Sequence, residues 1–175
     1  MSRYICILRG INVGGHRKIL MKDLIALLER NGYLNVKTYI QSGNIALNTK
    51  FNLAIEIEES ITGLINSNYG FDVPVIAITK GEVEKVIKNL PFDDEENTHV
   101  TFLKSMPLEN DLNQIIPEDF LPEKLVISGK TVYLKCVDKY HKSKLSNQLF
   151  EKKLKVSATT RNWKTVKKLL ELAEA

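Results

Sequence analysis

The chain has 175 residues, 43% hydrophobic and 26% charged, a composition that supports a packed core and excludes a protein disordered as a whole. Its formal net charge is +4, and its length suits one domain or two small packed halves. No apolar run approaches the roughly 18 to 20 residues a bilayer-spanning helix needs, and the opening Met1–Arg9 is too short for a signal-peptide core, so a cytoplasmic protein with no membrane partner is expected.

Arg3–Leu8 is a compact apolar strand, followed by the Gly-rich loop Gly10-Ile11-Asn12-Val13-Gly14-Gly15-His16-Arg17-Lys18. Met21, Leu24, Ile25, Leu27 and Leu28 then recur at helical spacing, and Gly32 falls where a left-handed C-terminal cap belongs. Val36–Ile40 and Asn44–Leu47 read as two strands joined by the tight connection Gln41-Ser42-Gly43. A helix from Phe51 to Asn68 follows, and Val73–Ile78 closes the segment as a fourth strand. The order βαββαβ is that of a ferredoxin-like unit, an antiparallel sheet with both helices on one face. In such a unit the first and second strands run the same way, so the Gly10–Lys18 loop and the Gln41–Asn44 hairpin should be neighbours.

Thr79-Lys80-Gly81-Glu82 has capping-box spacing and opens a short helix through Val83, Val86 and Ile87, which Leu90-Pro91 ends. After the acidic loop Asp93–Glu96 come a strand at Thr98–Leu103, a helix near Glu109–Ile116 and a hairpin from Lys124 to Val137 turning at Ser128-Gly129-Lys130. Helices near Ser143–Lys153 and Asn162–Glu174 finish the chain, with a short strand at Val156–Ala158 between them. The fold class is therefore α+β, two duplicated ferredoxin-like subdomains at 1–79 and 80–175, the second ending in a C-terminal helix.

Charge is unevenly distributed along this frame. Residues 1–79 carry 8 Lys/Arg against 6 Asp/Glu, residues 80–138 carry 7 against 12, and residues 139–175 carry 10 against 3. The basic C-terminal excess favours a polyanionic or phosphorylated partner, or else forms a solvated helix face. Cys6 and Cys136 lie in strand-like runs and read as reduced, buried thiols. With His16, His99 and His141 they form no close-spaced cluster, so neither a metal site nor a cofactor is expected.

Three stretches are candidates for ligand contact. The first is the Gly-rich loop, where glycines allow close approach of backbone and Arg9, Arg17 and Lys18 supply positive charge with no carboxylate before Asp23. Gly10 and Gly15 have the glycine spacing of a phosphate loop, but His16-Arg17 follows where Lys-Ser/Thr is required, which excludes a P-loop nucleotidase. The second is Gln41-Ser42-Gly43-Asn44, whose side chains either brace the turn or face a ligand. The third is Thr159–Thr165, with Thr159, Thr160 or Asn162 as a helix cap and Arg161 and Lys164 placed in a first helical turn, where cations need an anion, bound or intramolecular, to offset the positive helix end. Trp163 stacks on a base or packs in the core. Ser143 and Lys144 are adjacent and would diverge on a helix, so Ser143 reads as an N-cap and not as a Ser-Lys nucleophile.

Leu8-Arg9-Gly10-Ile11-Asn12-Val13-Gly14-Gly15, Thr38–Asn44, Ser143-Lys144-Leu145 and Ala158–Val166 together resemble the signature of a bacterial domain-of-unknown-function family, number sixteen ninety-seven. The resemblance implies two ferredoxin-like subdomains and assigns no catalytic residue. The ligand-contact set read from the residues is Arg9, Asn12, Gly14, Gly15, Arg17, Lys18, Ser42, Asn44, Lys144, Thr160, Arg161 and Asn162. The partner it points to is phosphate-bearing, nucleic acid or a phosphorylated small molecule. Two other readings stand beside it: an enzyme acting on a phosphorylated or carboxylated substrate, which lacks an evident general base, and a scaffold in which Arg9, Asn44 and Asn162 are buried and hydrogen-bonded.

Overall fold

The computed structural model describes all residues 1–175, which form two compact units, Met1–Lys85 with Lys168–Ala175, and Val86–Lys167. In the first, the elements run β1 (Ser2–Leu8), α1 (Met21–Arg30), β2 (Leu34–Tyr39), β3 (Asn44–Thr49), α2 (Ala54–Tyr69) and β4 (Val75–Thr79), then enter α3 (Lys80–Lys88). The antiparallel sheet has the order β2-β3-β1-β4, the ferredoxin-like arrangement.

Every residue from Tyr4 to Leu8 is buried, which is why β1 reads as a continuous apolar run and not as an alternation. Tyr4, Cys6 and Leu8 join a core with Leu24 and Leu28 of α1 and Ile57, Ile61 and Ile65 of α2. Helix α1 ends at Arg30, and two residues on, the chain turns at Gly32, φ +89°, whose N–H donates to Glu29 O at 3.1 Å while Tyr33 N–H donates to Leu28 O. Glycine is the residue that enters this left-handed conformation without Cβ strain. The Thr79/Glu82 capping box at the start of α3 is formed in both directions, Thr79 N–H to Glu82 Oε2 at 2.7 Å and Glu82 N–H to Thr79 Oγ1 at 3.2 Å.

The second unit repeats the order with β5 (Thr98–Leu103), α4 (Glu109–Leu112), β6 (Lys124–Ser128), β7 (Thr131–Lys135), α5 (Asn147–Leu154) and β8 (Ala158–Asn162), and its sheet runs β6-β7-β5-β8. Helix α6 (Trp163–Glu174) follows. Leu125, Val132, Leu134, Leu145, Phe150 and Leu154 lie in its core.

Three sequence expectations change here. The helix near Glu109–Ile116 shrinks to four residues: Gln114 and Ile115 N–H bond three residues back, to Asp111 O and Leu112 O, and Ile116, which precedes Pro117, is extended. The helix expected from Ser143 starts after Ser146, whose hydroxyl accepts from Leu149 N–H at 3.2 Å; Ser143 is extended. The short strand expected at Val156–Ala158 instead covers Ala158–Asn162, so Arg161 lies in β8 and not in a first helical turn. Helix α6 carries its last residues into the first unit, where the Arg3 guanidinium donates to Leu172 O at 2.9 Å and Ala173 O at 3.1 Å.

Candidate functional site

In the first unit the loop after β1 and the β2–β3 hairpin meet, as the strand directions require. Leu8 N–H donates to Gly43 O at 2.8 Å, and the Asn12 amide donates to Gln41 O at 2.7 Å. Asn12 also closes its own loop, donating to Ile19 O and accepting from Ile19 N–H, both at 2.9 Å, while its backbone N–H donates to Arg17 O. It does so at φ +55°, a left-handed conformation that asparagine tolerates better than most residues. Gly14 and Gly15 are also left-handed, and His16 N–H turns back to Val13 O at 3.0 Å.

Val13–Lys18 forms an exposed tip on this braced base. Arg17, Lys18 and Lys22 project from it and from the first turn of α1, whose cap residue Leu20 provides no side-chain acceptor. The loop therefore joins three cations to an uncapped helix N-terminus, with Asp23 the first carboxylate. Arg9 is half-buried. Asn44 is fully buried, with its amide donating to Tyr39 O and Ser42 Oγ, both at 3.0 Å, so it braces the hairpin.

In the second unit Thr160 occupies the centre of a hydroxyl cluster. It donates to Asn147 Oδ1 at 2.6 Å and accepts from Tyr140 OH at 3.2 Å, with Thr101 Oγ1 at 2.7 Å. One donor and two acceptor positions are thus all occupied. Arg161 is buried and donates to Thr159 Oγ1 at 2.8 Å and Thr160 O at 3.0 Å. Asn162 is the N-cap of α6, its Oδ1 accepting from Thr165 N–H at 2.8 Å. Replacing it, Asn162→Ala, should destabilise the fold by about 1 kcal/mol, a Tm drop of roughly 2–4 °C that calorimetry reads. Trp163 is buried and serves the core.

Ser143 Oγ donates to Glu123 Oε1 at 2.8 Å and accepts from Leu145 N–H, which explains its extended conformation, while Lys144 beside it is exposed. Sequence reasoning missed Glu123, because a partner 20 residues away leaves no local signal. The acidic loop is paired: Asp94 with Lys135, and Glu95 with Lys167 at 2.7 Å, which hold both carboxyls below their ordinary values. No group of His, Cys, Asp and Glu side chains is placed to hold a metal ion.

Cys6 and Cys136 are free and buried. Burial first, then Glu58, raises the Cys6 thiol far above its usual range; burial first, then Glu123, pushes Cys136 up to about 11. Thiolates are the reactive form, so iodoacetamide at pH 8 should leave both unmodified in the native protein and label both in denaturant. Fast labelling of Cys136 without denaturant would contradict that burial.

These features define an α+β protein built from two ferredoxin-like units, with a basic loop in the first that Asn12 braces at its base. The chain belongs to the family described as Protein of unknown function (DUF1697), which matches residues 1–133. It is similar to a solved structure, the conserved bacterial protein SP0830 from Streptococcus pneumoniae, at 25% identity and a TM-score of 0.73, with 98% of each chain covered. No curated protein matches it. No helix is long and apolar enough to cross a membrane.

Proposed function

We propose that the Val13–Lys18 tip and the start of α1 contact the phosphate backbone of a nucleic acid. The supporting observation is the loop's construction: Arg17, Lys18 and Lys22 are exposed on and beside a loop whose base Asn12 braces with three side-chain hydrogen bonds. A loop braced at its base has less backbone to order on meeting a phosphate, and the uncapped N–H groups of α1 add to the same field. In the second unit Lys139, Lys144 and Lys152 are exposed on the segment through α5 and add basic surface there. Gly14 and Gly15 belong to the proposed contact as backbone, Arg9 and Ser42 as its floor; Asn12 and Asn44 brace it from below. The sheets offer no stacked aromatic platform, so contact is to phosphate and insensitive to base sequence.

Anisotropy with labelled duplex DNA and single-stranded RNA tests this. Three phosphate contacts predict a log K against log salt slope near −2.7 on duplex, an affinity loss of about 40-fold between 50 and 200 mM salt. Arg17→Ala and Lys18→Ala should each flatten the slope by about 0.9. A mononucleotide binding with no salt dependence, and untouched slopes in the variants, would instead favour an enclosed small-molecule site.

A further inference from the structure

Each sheet has two edges, β2 and β4 in the first and β6 and β8 in the second. At β4 the buried Glu58 carboxylate accepts from Ala77 N–H at 2.9 Å, so a side chain occupies that edge. At β6 no side chain does so, although the single turn Pro117–Phe120 packs beside the strand and the Leu125 side chain is buried in the core. β6 pairs only with β7, and the two-residue turn at Gly129-Lys130 makes Ser128/Thr131 and Val126/Tyr133 the pairs that exchange hydrogen bonds. The N–H and C=O groups of Leu125 and Ile127 therefore point away from the sheet, and no other element bonds to them.

Two hollows flank this edge. One, about 490 Å³, is walled by Phe92, Leu121 and Val126 and rimmed by the exposed carboxylates of Asp93 and Glu118. The other, about 450 Å³, is apolar and lined by Met106, Leu112, Val126 and Ile127. Met106 and Leu121 are more than 60% exposed. Unpaired strand backbone between side-chain hollows is the geometry by which a sheet accepts an added strand.

We propose that the β6 edge takes an extended peptide segment of another protein, alternating apolar and basic residues, as a fifth strand of the second sheet. Alternation follows from strand geometry, since successive side chains fall to opposite faces. Basic residues follow from charge: Asp94 and Lys135 in the larger hollow pair with each other, which leaves Asp93, Glu118 and Glu123 against Lys124. A second copy of this chain is disfavoured as the occupant, because pairing two β6 strands brings two acidic rims together.

The test uses the full chain and a fluorescent heptapeptide of alternating Val and Lys, with two N-methylated forms carrying methyls on the odd or the even residues. A strand added at β6 presents only alternate N–H groups to the protein. One methylation pattern should therefore weaken binding at least tenfold, and the other should stay within threefold. The double variant Asp93→Lys with Glu118→Lys, both exposed, should lose at least fivefold for the Lys peptide and gain for the matching Glu peptide. Amide resonances of Leu125 and Ile127 should shift on titration. Equal effects of the two methylation patterns, or indifference to the charge reversal, would overturn the proposal. So would concentration-dependent self-association that protects the Leu125 and Ile127 amides without peptide.

Discussion

Gly43→Ala should destabilise the first unit by about 3 kcal/mol, lowering its Tm by roughly 6–12 °C. The added Cβ would lie 2.6 Å from Leu8 Cβ and 2.9 Å from Ile11 Cδ1, and both neighbours are buried core residues. The Leu8 contact is not relieved by swinging a chain end, since Leu8 Cβ is fixed by the β1 backbone; the Ile11 methyl is a chain end, but it must turn within a buried core. Overpacking of this kind costs about 1–3 kcal/mol, and the left-handed φ of +84° adds about 1–2 for a residue with a Cβ. The Leu8 N–H to Gly43 O bond must also lengthen as the hairpin retreats. Gly70→Ala provides the control: φ is +77° but nothing lies within 4 Å, so only the conformational part should appear. Chemical denaturation of the two variants separates the contributions; equal losses would show that the close approach at Gly43 relaxes freely.

That hairpin also shows what one-dimensional reading captures. The βαββαβ order of both units was legible because strand runs, helical spacing and glycine turns are local signals, and the proximity of the Gly10–Lys18 loop to Gln41–Asn44 followed from strand direction alone. Legibility failed where a distant partner decided the conformation. Ser143 looks like a helix cap, but Glu123 draws its hydroxyl away and Ser146 takes the role. Arg161 looks like a helix-start cation, but pairing with Val100 of β5 extends the strand through it. Thr160, Asn44 and Asn12 are small polar residues whose types fit ligand contact and internal bracing equally well. Only the direction of each side chain separates the two roles, and direction depends on backbone placed by the rest of the sheet.

Asn12 and Arg17 supply the sharpest contrast between bracing and contact. Asn12→Ala should destabilise the first unit by about 2–3 kcal/mol, because three hydrogen bonds go at about 0.5–1.5 kcal/mol each and alanine tolerates the left-handed φ less well. Arg17→Ala should stay within about 0.5 kcal/mol of wild type, since the side chain is exposed and its backbone oxygen, which accepts from Asn12 N–H, is unchanged. On polyanion binding the order reverses in kind. Arg17→Ala removes one cation and flattens the salt slope, whereas Asn12→Ala removes no charge and weakens binding only by letting the tip move. The two losses must therefore interact: on the Asn12→Ala background, Arg17→Ala should flatten the slope by less than half as much as it does in wild type. Calorimetry and anisotropy on the four proteins of this double-mutant cycle give both quantities. Full additivity in the slope would mean that the cations act without the brace, and rigidity would drop out of the account of how this loop meets phosphate.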